Sequence, residues 1–101
     1  MVKVAHVRKA KFDHYMGRSC AEFHGTPFGN PFYIGSDGDR EEVLMKFIHY
    51  WYAPEQSGLR QLAFDSIGPE STLGCWCHPL PCHCDIIAGY LNWKFLPSRL
   101  F

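Results

Sequence analysis

Residues 73–85, LGCWCHPLPCHCD, constrain the fold of this chain more than any other stretch of its sequence. Small or apolar side chains recur at every second position over 71–77, which is the period of a strand with one buried face. Pro79 and Pro81 then interrupt the pattern, because proline lacks a backbone donor. Helical spacing of apolar residues resumes over 83–95. The stretch therefore predicts a buried strand that turns at once into a final helix.

Two patterns describe the N-terminal third of the chain. Valine alternates with polar or small residues over 2–8, which predicts a first strand. Residues 16–38 then contain seven glycines and prolines, too many for a helix. This segment predicts loops, although PFYIG at 31–35 could hold a short strand.

The clearest helix pattern covers residues 40–52. Asp39 and Glu42 have the spacing of a capping box, and their carboxylates suit the positive end of the helix dipole. Apolar residues recur behind them until Pro54 ends the helix. A shorter second helix is expected over 59–67, before a Gly-Pro pair. The apolar faces comprise Val43, Leu44, Phe47, Ile48 and Trp51 in the first helix and Leu59, Leu62, Ala63 and Ile67 in the second.

The order of these elements, strand, loop, helix, helix, strand, helix, defines the predicted fold class. Strands joined through helices are usually parallel. We therefore expect an α/β fold, a small Rossmann-like layer of a short, mainly parallel sheet with helices packed on it. A chain of 101 residues has room for one core, so residues 1–101 should form a single compact domain. Ligands of such sheets bind beyond the carboxyl ends of the strands, near helix N-termini, where the cysteine-rich stretch lies.

Charge and composition exclude several classes of protein. The formal net charge is zero, so no overall charge draws the chain to nucleic acid or acidic lipid. Residues 1–18 carry a local excess of four positive charges, either a solvated face or a phosphate-facing edge. No apolar run approaches the roughly 20 residues of a membrane span, and no signal-peptide core is present. We expect a cytoplasmic protein with no membrane partner, whose five cysteines do not form a disulfide framework.

One interpretation of the cysteine-rich stretch is a structural zinc site. Three thiolates and an imidazole suit tetrahedral zinc, and the ligands would be Cys75, Cys77, Cys82 and His83. Cys75 and Cys77 would lie on one face of a strand with alpha carbons about 6.5 Å apart. This C-x-C spacing is less typical of zinc than the C-x2-C of a tight turn. No cofactor follows with certainty from the sequence, and zinc is the candidate.

A second interpretation is a pocket for an anion or a nucleotide at the start of the final helix. Free backbone N–H groups and the helix dipole attract anions there, and they would also lower the pKa of Cys82. His83 could act beside this thiol as a base or a cation. If the chain is an enzyme, Cys82 is the candidate nucleophile and His83 or Asp85 the acid or base. The sequence does not decide whether any reaction occurs.

A third interpretation assigns no chemistry to the strand cysteines. Free cysteine is among the most buried residue types, so Cys75 and Cys77 could be small core residues. This interpretation leaves His83 and Asp85 unexplained, because neither has an obvious role in a core. All three interpretations remain open at the level of the residues alone.

Five motifs occur in order along the chain: HVRK at 6–9, GR at 17–18, FGNPF at 28–32, DGDREEV at 37–43 and LGCWCHPLPCHCD at 73–85. Together they resemble a family of small bacterial and phage proteins, the domain of unknown function numbered forty-three twenty-six. The resemblance covers most of residues 6–90. It implies a compact α/β domain, frequent in phage genomes, without a settled activity.

The resemblance also bears on which residues form a site. The usual family ending is Cys-His-Gly-Asp, whereas this chain has Cys84 in the glycine position. This difference implies that Cys84 is not an essential ligand. A site shared by the family would consist of Cys75, Cys77, Cys82, His83 and Asp85, with Arg18 and Asn30 from the glycine-rich loops.

Three further candidate residues have structural alternatives. Arg18 either clamps an anion or pairs with Glu22 on the surface. Asn30 is a candidate ligand-binding residue, but asparagine beside glycine and proline is also typical of a turn. Trp76 is either a core residue or, since it is expected to point away from the neighbouring cysteines, part of a base-stacking pocket.

These observations lead to three hypotheses about function. The leading one is a phage or bacterial domain that binds a nucleotide-like or phosphorylated small molecule at the Cys-His helix start, with thiol-dependent chemistry as an extension. The alternative is a structural zinc domain that interacts with a host protein or nucleic acid. The third is an interaction protein with an inert fold and an apolar C-terminal patch. That patch would comprise Trp93, Phe95, Leu96, Leu100 and Phe101, and the oligomeric state does not follow from the sequence.

Overall fold

The computed structural model describes residues 1–96. These residues form three strands and three α-helices, and a 3-10 turn at Pro54–Gln56 leads into the second helix. The strands are β1 (Lys3–His6), β2 (His14–Tyr15) and β3 (Thr72–Cys75), and the helices are α1 (Arg40–Tyr52), α2 (Ser57–Ser66) and α3 (His83–Lys94).

All three strands are parallel and belong to one sheet in the order β1-β3-β2. The central strand β3 pairs with both of the others, with Leu73 opposite Val4 on one side and opposite His14 on the other. The predicted α/β class with a parallel sheet is therefore confirmed. Because the strands are parallel, their carboxyl ends all emerge at the same edge of the sheet.

The helices build the core against one face of the sheet. Leu73 and Cys75 of β3 are buried there, and α3 contacts β1, β3, α1 and α2. The side chain of Asn92 on α3 also holds the chain just before β1, since it accepts a hydrogen bond from Val2 N–H at 2.6 Å and donates to the Val2 carbonyl at 3.1 Å. The final helix is thus fixed to the sheet by both packing and hydrogen bonds.

The opposite face of the sheet is covered by aromatic side chains from loops. Gly74 faces this side, and a Cβ atom on it would lie 2.6 Å from the Cγ atom of Phe12. The Phe12 ring contacts Phe23 edge-on at 5.6 Å, and Phe23 stacks on Tyr15 at 4.7 Å between ring centroids. The central strand therefore needs glycine at position 74, because a larger residue would displace the ring.

The helix predictions agree with the structure. Helix α1 has the predicted bounds, and its capping box is formed: Glu42 N–H donates to the Asp39 carboxylate at 2.9 Å, and Asp39 N–H donates to Glu42 at 3.1 Å. Helix α2 starts earlier than expected and leaves Leu62 exposed. Among the described residues, no helix combines the length and apolar character needed to cross a bilayer.

Two strand expectations were wrong, and one strand was missed. The PFYIG segment forms turns rather than a strand. Strand β2 was missed, because two residues are too short to show an alternating pattern. Strand β3 ends at Cys75, so Cys77 lies beyond it and the two cysteines do not share one strand face.

Leu100 and Phe101 of the expected apolar patch lie outside the described residues, whereas Trp93 and Leu96 are exposed.

We expect Gly74→Ala to destabilise the protein by about 1–3 kcal/mol, because the added methyl group would overlap the root of the Phe12 ring. The measurement is the free energy of unfolding in urea. Gly89→Ala is the matched control, since Gly89 is exposed on α3 with no atom near its missing Cβ. That change should stabilise by about 0.5–1 kcal/mol through helix propensity. Equal effects of the two substitutions would contradict the packing argument.

Candidate functional site

A cleft of about 440 Å³ lies at the carboxyl edge of the sheet. It is bounded by the chain segments that follow β2 and β3, by the first turns of α1 and α3, and by the loop around Tyr33. Its lining residues are Tyr15, Gly17, Arg18, Ser19, Cys20, Asn30, Phe32, Tyr33, Ile34, Arg40, Val43, Leu44, Cys75, Trp76, Cys77, Pro81, Cys82 and His83. The cleft therefore lies where parallel α/β sheets bind their ligands.

Hydrogen bonds connect the two strand ends that form one wall of the cleft. The Tyr15 hydroxyl donates to the Arg18 carbonyl at 2.6 Å and accepts from the indole N–H of Trp76 at 3.0 Å. Burial raises the pKa of Tyr15, so its hydroxyl keeps its proton and remains a donor. These bonds hold Trp76 beside the segment after β2.

Two guanidinium groups line the cleft. The Arg18 guanidinium donates to the Phe32 carbonyl at 2.6 Å and lies 3.7 Å from the centre of the Tyr33 ring. The Arg40 guanidinium donates to the Pro81 carbonyl at 3.0 Å. No aspartate or glutamate within residues 1–96 lines the cleft. The charged side chains around it are therefore cationic.

Three buried cysteine sulfurs lie close together at the base of the cleft. The Sγ atoms of Cys75, Cys82 and Cys84 are all within 4.8 Å of one another. Cys82 donates its thiol proton to Cys75 at 3.4 Å between sulfurs, and His78 N–H also donates to Cys75 Sγ at 3.4 Å. This cysteine triad, Cys75, Cys82 and Cys84, could hold a metal ion.

The hydrogen bonds of the triad divide its thiols into donors and an acceptor. Hydrogen bonds from Cys82 and then Cys84 lower the pKa of Cys75 far below its usual value. The pKa of Cys82 is raised, because its one thiol proton is donated to Cys75 and is also attracted by Cys77. The expectation that the helix start lowers the pKa of Cys82 was therefore wrong. The most acidic thiol of the triad is Cys75.

Cys77 lies outside the triad but near it. The hydrogen bond from Cys82, and after it the Arg40 guanidinium, lower the pKa of Cys77 to about 6. Its side chain is half-buried and lines the cleft. A cation therefore stabilises the thiolate form of a cysteine that solvent can reach.

His83 is the first residue of α3 and is 8% exposed. Its Nε2 atom lies 2.8 Å from the Met16 carbonyl, so this nitrogen donates its proton there. Burial lowers the pKa of His83, and the ring is therefore neutral. The imidazole links the start of α3 to the segment that follows β2.

Asp85 has a structural role at the start of α3. Its carboxylate accepts a hydrogen bond from Cys82 N–H at 2.9 Å, and its own N–H donates to the Cys82 carbonyl at 3.0 Å. It is exposed and is not among the residues that line the cleft. The carboxylate thus caps the helix that carries Cys82 and His83.

The structure brings most of the sequence-predicted site residues to one cleft. Cys75, Cys77, Cys82, His83, Arg18, Asn30 and Trp76 all line it, and Asp85 does not. Asn30 also forms its own turn, since its side-chain oxygen accepts from Phe32 N–H at 2.9 Å. The surface pairing of Arg18 with Glu22 was a wrong expectation, because Arg8 forms that ion pair.

Arg40 and Tyr15 were not predicted as cleft residues, and Cys84 was not predicted as a member of the triad. Arg40 is the first residue of α1, a position where arginine is usually solvated, and its contact with Pro81 joins residues 41 positions apart. Tyr15 belongs to the missed strand β2. Cys84 was set aside because the family resemblance implies glycine at that position.

The fold and the cleft define a small parallel α/β domain with a cysteine-rich site at the carboxyl edge of its sheet. The chain belongs to the family described as Domain of unknown function (DUF4326), whose model matches residues 2–93. It is 34% identical over 96 residues to the "Uncharacterized 12.4 kDa protein in nrdA-td intergenic region" of Enterobacteria phage T4, covering 94% of this chain and 82% of that protein. No solved structure matches the chain.

We expect Asp85→Ala to destabilise the protein by about 1 kcal/mol, because the Cys82 N–H would lose its acceptor. Asp85→Asn keeps an acceptor oxygen and should cost much less. Urea unfolding measures both changes, and Glu42→Ala with Glu42→Gln in the capping box of α1 is the matched control pair. If Asn were as costly as Ala at position 85, the charge rather than the hydrogen bond would stabilise the helix start.

Proposed function

We propose that this domain binds a nucleotide-like or phosphorylated small molecule in the cleft at the carboxyl edge of its sheet. The observation that carries the proposal is the charge of the lining, to which residues 1–96 contribute two guanidinium groups and no carboxylate. A phosphate group would satisfy the donors that Arg18 and Arg40 do not use on the Phe32 and Pro81 carbonyls. Guanidinium recognises phosphate through paired hydrogen bonds.

The start of α3 supplies further donors for an anion. Cys82 and His83 line the cleft at the N-terminus of this 12-residue helix. The helix dipole and the unpaired backbone N–H groups of the first turn favour negative charge. The Cys82 N–H donates to the Asp85 carboxylate and the Asp85 N–H donates to the Cys82 carbonyl, so the His83 and Cys84 N–H groups are the candidates for a ligand.

The aromatic lining supports a ligand that carries a flat ring. Trp76 is 37% exposed, and its indole is held by the hydrogen bond to Tyr15. Phe32 and the exposed Tyr33 line the cleft as well. Stacking on aromatic faces tolerates any base. The combination of cations and rings therefore favours a nucleotide over inorganic phosphate.

Thiol chemistry is an extension of this proposal. A nucleophilic cysteine must be deprotonated and must reach the ligand. Cys82 lines the cleft, but its raised pKa disfavours the thiolate, whereas Cys77 combines access with a lowered pKa. Cys82→Ser that leaves ligand binding and any turnover unchanged would remove Cys82 from the proposed site.

We predict that Arg18→Gln and Arg40→Gln each weaken the binding of AMP by about tenfold or more, because each change removes charge-assisted hydrogen bonds to phosphate. Isothermal calorimetry measures the dissociation constant, and Trp76→Leu should also weaken AMP more than it weakens inorganic phosphate. Lys9→Gln is the control, since it removes the same charge from an exposed residue outside the cleft. Failure of the wild-type protein to bind either AMP or phosphate would overturn the proposal, as would an equal loss from Lys9→Gln.

The second candidate function is a zinc-binding domain that acts as an interaction module for a protein or nucleic acid. The observation in its favour is the cysteine triad, whose sulfurs are close enough together to hold an ion. A metal ion that binds the native chain but not the unfolded chain would stabilise the fold. The triad joins the end of β3 to the start of α3, so loss of the ion would loosen both elements.

If the second candidate is correct, protein purified in the presence of a reducing agent and without added metal should contain one equivalent of zinc by elemental analysis. A strong chelator should then lower the melting temperature, and added zinc should restore it. The Cys20→Ser protein is the control, because Cys20 is exposed and lies outside the triad. A metal-free protein whose melting temperature does not respond to zinc would exclude this candidate.

A further inference from the structure

We infer that Cys75, Cys82 and Cys84 form a three-sulfur site for a closed-shell thiophilic ion, Zn²⁺ or Cu⁺, whose remaining coordination position faces the cleft. The inference rests on the second candidate function and specifies its ligands. It differs from the ligand set expected from the sequence, which contained Cys77 and His83 in place of Cys84.

The spacing of the three sulfurs suits one ion. Zinc binds thiolate sulfur at about 2.3 Å, which separates two sulfurs on the same tetrahedral ion by about 3.8 Å. The triad sulfurs lie within 4.8 Å of one another, with Cys75 and Cys82 at 3.4 Å. Changes of at most about 1 Å in the sulfur–sulfur distances would therefore bring all three sulfurs into bonding distance of one ion.

The chemical character of the triad selects soft ions. Its three donors are sulfurs, and all three residues are buried. Thiolates prefer zinc and cuprous copper, whereas magnesium and calcium need oxygen ligands. No described carboxylate lines the adjoining cleft. Each thiol loses its proton to solvent as its sulfur binds the ion.

Geometry argues against the alternative ligands. The Nε2 atom of His83 donates to the Met16 carbonyl at 2.8 Å, which leaves Nδ1 as its only free ring nitrogen. His83 and Cys77 both fall outside the group of mutually close ligand atoms, which contains Cys75, Cys82 and Cys84. Distance therefore favours Cys84 over either residue as the third ligand.

The position of the triad determines where its open side lies. Cys75 and Cys82 line the cleft, whereas Cys84 does not line it and is fully buried. An ion held by all three sulfurs would thus have Cys84 behind it and the cleft in front. Three protein ligands with an open position are the arrangement of zinc sites that bind water or a substrate.

The test uses Co²⁺ as a spectroscopic probe for the divalent ion on the reduced wild-type protein. We expect one equivalent to produce the near-ultraviolet absorption of cobalt thiolates, with an intensity that corresponds to three sulfurs. Added Zn²⁺ should abolish this absorption by displacing the cobalt. Imidazole added to the cobalt-loaded protein should shift the visible bands, because it can enter the open position from the cleft. Bands that do not respond to imidazole would contradict an open site.

Substitutions distinguish the two ligand sets. We expect Cys84→Ser to weaken Zn²⁺ binding at least tenfold in competition with a chromophoric chelator, because it removes a thiolate ligand, while Cys77→Ser leaves it within about twofold. Cys20→Ser is the control for a cysteine outside the cluster. The opposite pattern, with loss from Cys77→Ser and none from Cys84→Ser, would overturn the inference and keep the zinc domain.

A measurement on the wild-type protein covers the case in which Cys84→Ser does not fold. Cysteines are alkylated under native conditions with and without Zn²⁺, and the labelled positions are mapped by mass spectrometry. Cys77 and Cys20 should remain reactive with zinc bound, and the triad should be protected. Protection of Cys77 by zinc would contradict the inference. Absence of Zn²⁺ and Cu⁺ binding would refute both the inference and the zinc candidate, whereas AMP binding to the metal-free protein would be unaffected.

Discussion

The whole structure depends on the pairing of β3 with a strand on each side. Backbone hydrogen bonds join it to β1 through Lys3 and Val7, and to the β2 segment through Asp13 and Met16. Because β1 and β2 do not pair with each other, neither has a place in the sheet without β3. Parallel pairing also makes the segments after β2 and β3 leave at the same edge. This is why Tyr15 and Trp76, 61 positions apart, can form a hydrogen bond.

The cysteine geometry is a consequence of how the chain returns from that edge. After β3 the chain turns through two prolines, and Cys82, the residue that caps α3, lies directly beside Cys75. The position of this turn is secured from outside, since Arg40 of α1 binds the Pro81 carbonyl and the Asp85 carboxylate binds Cys82 N–H. His83 secures it from the other side through Met16. The sulfurs are therefore close together because β3, α3, α1 and the segment after β2 meet at the sheet edge. The spacing of cysteines in the sequence is only one of the causes.

The parts of the fold that depend on local interactions could be predicted from the sequence. Helix α1 has its capping signal and its apolar face within a single stretch of chain, and its predicted bounds were correct. Strand β2 could not be predicted, because its two residues become a strand only through pairing with β3. The same limit applies to Arg40, whose place in the cleft depends on how α1 packs against the turn before α3. The motifs at 17–18 and 73–85 indicated the cleft residues after β2 and β3. Cys84 was not included, because its proximity to Cys75 and Cys82 is visible only in three dimensions.

The anion and metal proposals concern the same few side chains, and electrostatics relates them. Guanidinium groups stabilise thiolates as they stabilise phosphate, which is why Arg40 contributes to the low pKa of Cys77. A divalent ion with three thiolates carries a net negative charge and would attract the same two arginines. Such an ion would therefore compete with an anionic ligand that only pairs with Arg18 and Arg40. A ligand that also supplies a donor atom to the ion would bind more tightly when the ion is present. Added metal should therefore strengthen the binding of ligands that reach the triad and weaken the binding of ligands that contact only the arginines.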